Sequence, residues 1–418
     1  MLLGQTPGIA LVRKYWDKYF TFTNSVDYFN LLNTFGTLFA LHYHTREPRW
    51  TAKKLLWTIY RTFYLLSYLS YCYKVYWLFS DWEYSTASAN LLGALGLCSG
   101  ALLRLLLIEF NYPTIHLLQQ FLNDRTYLHD DPWAVTERSK LYRHNNRFLV
   151  VLITAITGES LCFLARLLLT RPEFMLQYGG RVLGGPAVQL VYGMVTACWG
   201  IIYVLSFIVF YMLLAGFRLE MQLLTRSFQQ LEDTLAPFGV EANEQDEQAY
   251  WDKLQTTLTE RIKRHVELLE NLRIFRSIVA PFAFLQYYST FGLIADSFFV
   301  VSFEGFTGYS MAYVLFASFL ILESLLLCRG VEDLNDLVRN RQIGTYLYNF
   351  DWPRHLRFST RYRSEYCSVR RTILLVILQS QQSLRFSYGA HGEISMHSFA
   401  ELMQKSYSML TFMLQFQN

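Results

Sequence analysis

The sequence contains a series of apolar segments, each long enough to cross a membrane. An α-helix needs about 20 mainly apolar residues to span a bilayer core of about 30 Å. The chain is 52% hydrophobic and only 17% charged, and its apolar residues are clustered. Seven segments approach or exceed the required length: 55–79, 86–110, 148–170, 186–217, 278–303, 311–328 and 399–418. The predicted fold class is therefore an all-α membrane protein with seven transmembrane helices.

The distribution of basic residues predicts how these helices are oriented. Most of the 37 lysines and arginines lie in the N-terminal region and in the segments 111–147, 218–273 and 329–371, whereas the opposite loops carry only Arg171 and Arg181. Loops rich in Lys and Arg face the cytosol. We therefore expect a cytosolic N-terminus and, after seven crossings, an extracellular C-terminus.

The same boundaries divide the chain into four regions. Residues 1–54 form a cytosolic N-terminus, in which the short apolar segment 26–41 is predicted to be an interfacial helix. Residues 55–328 form a six-helix transmembrane domain that binds ligand and has cytosolic helical extensions at 218–275. Residues 329–386 form cytosolic anchor helices, and residues 387–418 contain the seventh helix.

The seventh helix carries polar residues along one side. They recur at helical spacing and are Glu401, Gln404, Lys405, Ser408, Thr411 and Gln415. Burying such groups unpaired in lipid is costly, so the stripe must face other helices or an aqueous path. Phe412 lies within the stripe, where an apolar ring can close a pore by excluding water. The polar stripe is equally compatible with packing against other helices and with lining a pore.

The outer halves of three predicted spans contain candidate ligand contacts. Small residues in the third span leave space beside that helix, and aromatic, Met and hydroxyl side chains in the fourth and sixth spans suit a small apolar ligand. The same residues are also typical of an ordinary membrane core. The candidates are Thr157, Gly158, Cys162, Tyr192, Met194, Thr196, Tyr313 and Phe316.

Several charged residues lie within or at the ends of the predicted spans. Glu159 lies near the middle of the third span, with Arg166 on the same face. Charged groups at this depth need either a hydrated cavity or polar partners on a neighbouring helix. Lys74 and Arg104 are expected to act as anchors whose long side chains reach the membrane surface. The glycine-rich outer loop 171–185 is a candidate lid.

From residue 327 onward, the sequence resembles the C-terminal quarter of insect odorant receptors. The matching residues, in order, are Tyr348, Asp351, Trp352, Arg370, Arg371, Ser380, Gln381, Gly389, Ile394, Ser395, Phe399, Ser406, Tyr407, Ser408 and Thr411. The ending Gln415 and Phe416 also resembles the related insect gustatory receptors and the odorant co-receptor. However, Met409 stands where the gustatory signature has Tyr, and the segment 387–392 differs from the usual odorant receptor sequence.

This resemblance implies a ligand-gated, non-selective cation channel, a tetramer in which the last helix of each subunit lines one pore. Such a subunit binds a small volatile organic molecule and assembles with the odorant co-receptor in the plasma membrane of olfactory sensory neuron dendrites. By position, the pore would be lined by Ser408 and constricted at Phe412, with Gln415 beside it. The ligand pocket would lie between the second, third, fourth and sixth spans, where Gly158 and Cys162 face it.

Other functions predict different features. A gustatory channel would share the fold, whereas a G-protein-coupled receptor would need the opposite orientation. A transporter would need inverted repeats, and the sequence shows no internal repeat. The sequence also has no cluster of nucleophile, base and orienting residue and no metal-ligand spacing. We therefore expect no enzymatic activity, cofactor, metal or nucleic-acid partner.

Overall fold

The computed structural model describes residues 19–23, 25–39, 41, 52–80, 86–179, 181–235, 244–339, 342–350, 360–380, 384–388 and 392–415. Helices dominate this part of the chain. They are α1 (Asn30–Leu38), α2 (Ala52–Ser80), α3 (Thr86–Phe110), α4 (Tyr112–Asn123), α5 (Pro132–Thr170), α6 (Pro186–Gln229), α7 (Leu231–Leu235), α8 (Glu244–Glu304), α9 (Ser310–Arg339), α10 (Gln342–Tyr348), α11 (Arg363–Ser380) and α12 (Met396–Gln415). Between α5 and α6 lie a short 3-10 helix, Pro172–Phe174, and a small antiparallel hairpin of β1 (Gln177–Tyr178) and β2 (Arg181–Val182).

Each of the seven predicted spans lies within a helix, apart from residues 416–418, which fall outside the described part. Within that part, α3, α6, α8 and α9 are long and apolar enough to cross a membrane. They contain the second, fourth, fifth and sixth predicted spans. The helices α2, α5 and α12 contain the other three predicted spans, and the seven-span topology stays a prediction.

Three helices extend well beyond the thickness of a bilayer. The longest, α8, has 61 residues, which corresponds to about 90 Å at 1.5 Å per residue. It continues through Pro281 near the start of the predicted fifth span. The helices α6 and α8 run without interruption from the predicted fourth and fifth spans into the charged segments, and the cytosolic position of these extensions stays a prediction.

The helix α6 forms the centre of the bundle. From Trp199 to Phe210 every residue is buried, and the helix packs against α2, α3, α5, α8 and α9. A helix that is apolar on all sides is stable only when other helices surround it. The apolar sequence of the fourth predicted span therefore explains its central position.

A fully buried ion pair joins α3 to α9. The Nη1 atom of Arg104 lies 2.6 Å from Oε1 of Glu323, and both side chains are 0% exposed. Arg104 also donates to the carbonyl oxygen of Tyr203, and its guanidinium lies 3.5 Å from the centroid of the Tyr203 ring. The expectation that Arg104 anchors the helix at the membrane surface is therefore wrong: a buried acid on another helix binds it instead.

A second buried network lies in the predicted cytosolic extensions. Glu220 of α6 accepts from Arg138 of α5 at 3.4 Å and from Arg264 of α8 at 2.8 Å. All three side chains are nearly inaccessible to solvent. The carboxylate of Glu220 thus connects three helices at one point, outside the predicted spans.

The helices α1 and α11, near the two ends of the chain, differ in their packing. The helix α1 packs its Leu31 and Leu32 against α5 and α6. The helix α11 instead exposes one apolar face, formed by Leu374, Leu375 and Leu378. The sequence predicts that α11 lies in the cytosol, where exposed apolar surface of this kind is typical of a protein contact.

Candidate ligand cavity and pore helix

A cavity of about 130 Å³ lies among the outer halves of the helices. On the same measure one water molecule needs about 10–15 Å³, so the cavity has room for a small organic molecule. Its lining comes from α2, α3, α5, α6, α8, α9 and the loop after α5. The lining residues are Tyr71, Asn90, Gly93, Ala94, Leu97, Cys98, Ile156, Glu159, Ser160, Leu164, Phe174, Met175, Gly193, Thr196, Ala197, Gly200, Leu293, Asp296, Ser297, Ala312, Tyr313 and Phe316.

Small residues on three helices create this space. On α6, Gly193, Ala197 and Gly200 recur at intervals of four and three residues, which places them on one helical face. Ala94 and Ala312 contribute in the same way from α3 and α9. The cavity therefore exists because side chains are small along the facing surfaces of closely packed helices.

Two polar residues of the cavity are held by hydrogen bonds to their neighbours. The hydroxyl of Tyr313 donates to Oδ1 of Asn90 at 2.9 Å and lies 3.0 Å from the hydroxyl of Tyr309. Asn90 in turn donates from Nδ2 to the carboxylate of Glu173 at 3.2 Å. This chain connects α9, α3 and the outer loop, so it fixes the outer end of the cavity.

The outer loop covers the cavity and is held in place by ionic contacts. Phe174 and Met175 of this loop line the cavity. Arg171 donates to Glu304 at the end of α8 at 2.5 Å and lies 3.7 Å from Glu173. Lys74 donates to the carbonyl oxygen of Glu173 and to the hydroxyl of Tyr192, both at 3.2 Å. Lys74 is therefore buried beneath the loop, not extended to the membrane surface as expected.

Three of the eight predicted ligand contacts line the cavity: Thr196, Tyr313 and Phe316. Tyr192 is buried beside the cavity and donates to Ser70 as well as accepting from Lys74. The remaining four predicted contacts are not in the lining. Cys162 and Met194 are exposed, Gly158 has open space beside it, and Thr157 is partly buried.

The structure brings other residues of the same helices to the cavity. On α5 the cavity face consists of Ile156, Glu159, Ser160 and Leu164, on the side of the helix roughly opposite Gly158. On α6 it is the face with Gly193, Ala197 and Gly200. Spacing of the small residues along α6 was the signal that could have identified this face. The side chain of Arg166 lies outside the described part.

The helix α12 packs one side on α8 and α9 and exposes the other. Leu402 and Ser406 are buried on the packed side. On the polar side, Gln404, Lys405, Ser408 and Gln415 are exposed, and Phe412 is 57% exposed. Lys405 also donates to the hydroxyl of Tyr287 on α8 at 3.1 Å. The predicted polar stripe thus faces away from the core of its own subunit.

The described helices thus form a bundle around a mainly apolar cavity, and α12 exposes polar side chains on the outside of that bundle. The sequence model of the 7tm odorant receptor family matches residues 89–407. The chain belongs to this family, and its predicted resemblance to insect odorant receptors is confirmed.

Solved structures share the fold of this chain. The insect olfactory receptor OR5 from Machilis hrabei in complex with eugenol superposes with a TM-score of 0.68 at 13% identity, over 93% of this chain and 100% of that one. Another structure of OR5 from the same insect gives a TM-score of 0.66 at 13% identity, over 94% of this chain and 99% of that one. No curated protein sequence matches the chain significantly. Of the C-terminal motif residues, Asp351, Trp352, Gln381, Gly389 and Phe416 lie outside the described part.

Proposed function

We propose that this chain is the ligand-binding subunit of an odorant-gated, non-selective cation channel that assembles with the odorant co-receptor as a tetramer. The subunit crosses the plasma membrane of olfactory neuron dendrites seven times, with its N-terminus in the cytosol. A small volatile organic molecule binds in the outer cavity. It favours the open channel because it binds the open state more tightly.

The observation that carries the channel function is the orientation of α12. One side of it, with Leu402 and Ser406 buried, packs on α8 and α9, whereas Ser408 and Gln415 point away from the subunit. Exposure of polar side chains to lipid is unfavourable. A central axis shared by several subunits gives these groups water and one another as neighbours, and Phe412 then forms the constriction.

Two further features support the ligand and assembly parts of the proposal. The cavity is lined mainly by apolar groups, among them Phe174 and Met175 of the outer loop, which suits a volatile ligand. The exposed apolar face of α11, formed by Leu374, Leu375 and Leu378, gives neighbouring subunits a contact surface outside the membrane. Thr196, Tyr313 and Phe316 are the predicted contacts that we retain for the ligand.

Whole-cell current measured against an odorant panel, with and without the co-receptor, tests the proposal. We expect odorant-evoked inward current only in cells that express both proteins. A gustatory-type channel would conduct without the co-receptor. Surface-expressed protein that gives no current with any volatile ligand, in the presence of the co-receptor, would overturn the proposed function.

A further inference from the structure

Two carboxyl groups lie in the wall of an otherwise mainly apolar cavity. Asp296 comes from α8 and Glu159 from α5. Asp296 lies eight residues before the end of α8, about 12 Å along the helix axis, and Glu159 lies near the middle of the third predicted span. Both acids are therefore well inside the predicted spans. Ionisable residues at such positions destabilise the protein unless another group pairs with them, and they commonly mark functional sites.

Four other polar side chains of the lining are already engaged with the protein. Tyr313 donates to Asn90, and Asn90 donates to Glu173. Thr196 donates to the carbonyl oxygen of Tyr192, and Ser297 donates to the carbonyl oxygen of Leu293. These side chains have a hydrogen-bond partner without any ligand.

The two acids differ from those groups. Among the described residues, neither Asp296 nor Glu159 forms an ion pair or a hydrogen bond. Two basic side chains near the cavity have other partners: Lys74 contacts Tyr192 and the carbonyl oxygen of Glu173, and Arg171 pairs with Glu304 and Glu173. The negative charge that the cavity wall can carry is therefore not balanced by these two cations.

The helix opposite Asp296 is shaped to accept its carboxyl group. A Cβ atom at Gly93 of α3 would lie 2.0 Å from Oδ2 of Asp296 and 3.0 Å from Cγ. Any side chain at residue 93 would displace the carboxyl group. The combination of an acid on α8 and a glycine on α3 thus holds a carboxyl group at the cavity wall.

We infer that the cavity selects small alkylamines in their protonated form. Asp296 is the main partner of the ammonium group, and Glu159 adds negative charge from α5. The alkyl chain lies against Leu97, Leu293 and Phe316. A cation offsets the cost of a buried carboxylate, which a neutral odorant of the same size cannot do. This inference rests on the proposed function, since it assigns the ligand class of the same cavity.

A matched ligand pair tests the inference in cells that express this chain and the co-receptor. Pentylamine and 1-pentanol have similar size and shape but differ in charge at neutral pH. We expect pentylamine to evoke current at a concentration at least tenfold lower than 1-pentanol. Purified receptor in lipid nanodiscs should likewise be stabilised against heating by pentylamine at lower concentrations, because a ligand that binds the folded state raises its stability.

Three variants identify the acids that are responsible. Asp296→Asn and Glu159→Gln remove charge with little change of volume, and each should reduce the potency of pentylamine while that of 1-pentanol is retained. The loss should be at least tenfold for Asp296→Asn. Glu109→Gln is the matched control, because Glu109 pairs with Arg61 outside the cavity. It should change neither response.

The outcomes separate the inference from the proposed function. Equal potency of the two ligands, or an amine preference that survives the double variant Asp296→Asn with Glu159→Gln, overturns the amine inference and leaves the channel function intact. Amine-specific thermal stabilisation without any current supports the inference and contradicts the channel function. An absence of both stabilisation and current with pentylamine overturns the inference.

Discussion

At the residue scale, the pair of Arg104 and Glu323 shows how a charged group is accommodated deep in this bundle. Each side chain is 0% exposed, and Arg104 also contacts the carbonyl oxygen and ring of Tyr203. Desolvation of two charges offsets much of their attraction, so the pair as a whole adds little stability. Each residue of the pair nevertheless depends on the other, because either charge alone would be buried without a counter-ion.

A double-mutant cycle on this pair gives a direct prediction. Arg104→Met or Glu323→Leu alone should destabilise the protein by about 3–5 kcal/mol, because one buried charge is left unpaired. The double variant should regain most of that loss. Thermal unfolding of the purified protein in nanodiscs measures the stabilities, and surface yield provides a second readout. Additive losses in the double variant would contradict a coupled pair.

His265 is the second residue for which burial has a measurable consequence. It lies on α8 outside the predicted spans, is 1% exposed, and contacts the ring of Phe228. Burial lowers the pKa of its imidazole from 6.5 to about 4. The folded state therefore favours the neutral ring at pH values where the unfolded chain already binds a proton.

The resulting prediction concerns stability at acidic pH. The contribution of His265 is fully present above pH 6.5 and is lost as the pH falls towards 4, because the unfolded state gains the proton first. Between pH 7 and 5 the loss should be about 2 kcal/mol. Unfolding of wild type and His265→Gln across this range measures it, and the variant should show a shallower pH dependence. His129→Gln, at an exposed position, should keep the wild-type slope.

At the element scale, α12 combines a packed side with a polar side, and Phe412 lies on the polar one. If this ring closes the pore by excluding water, Phe412→Ser should raise the current without odorant several-fold, because a small polar residue lets the constriction fill. Tyr407→Ser is the control. Tyr407 is an aromatic residue that is 67% exposed and lies about 140° around the same helix. Equal basal currents in the two variants would argue against Phe412 as the gate.

The sequence predicts where the helices lie along the chain better than it predicts which face of each helix lines the cavity. Each apolar segment lies in a helix over its described residues, and α3 coincides with the predicted segment 86–110. The cavity faces of α5 and α6 were harder to predict, because adjacent residues on a helix point about 100° apart. Met194 and Gly193 are neighbours in sequence, yet only Gly193 lines the cavity. The aromatic content of the spans favoured the larger side chains as predicted ligand contacts, whereas a cavity between packed helices forms where side chains are small.

Long-range pairings were also beyond the reach of the sequence. Arg104 and Glu323 are 219 residues apart, and no local pattern relates them. Arg104 lies near a predicted helix end, where a snorkelling side chain is the usual expectation. Only the packing of α3 against α6 and beside α9 reveals that an acid is within reach.

At the scale of the whole molecule, the orientation in the membrane is open to a direct test. An epitope tag after Asn418 should be accessible to antibody on intact cells, whereas a tag before Met1 should need permeabilisation. The excess of basic residues in the predicted cytosolic segments is the physical reason. Fluorescence of intact and permeabilised cells measures both tags, and a G-protein-coupled receptor would give the opposite result.

The small residues that form the cavity also indicate how such receptors can diversify. A Cβ atom at Gly200 would meet Ile156 and Ser160 at 3.8 Å, an ordinary contact distance. If the cavity binds the ligand as proposed, Gly200→Ala adds one methyl group to its wall and changes which molecules fit, while the buried pair of Arg104 and Glu323 stays intact. The range of detected molecules can then evolve in single mutational steps.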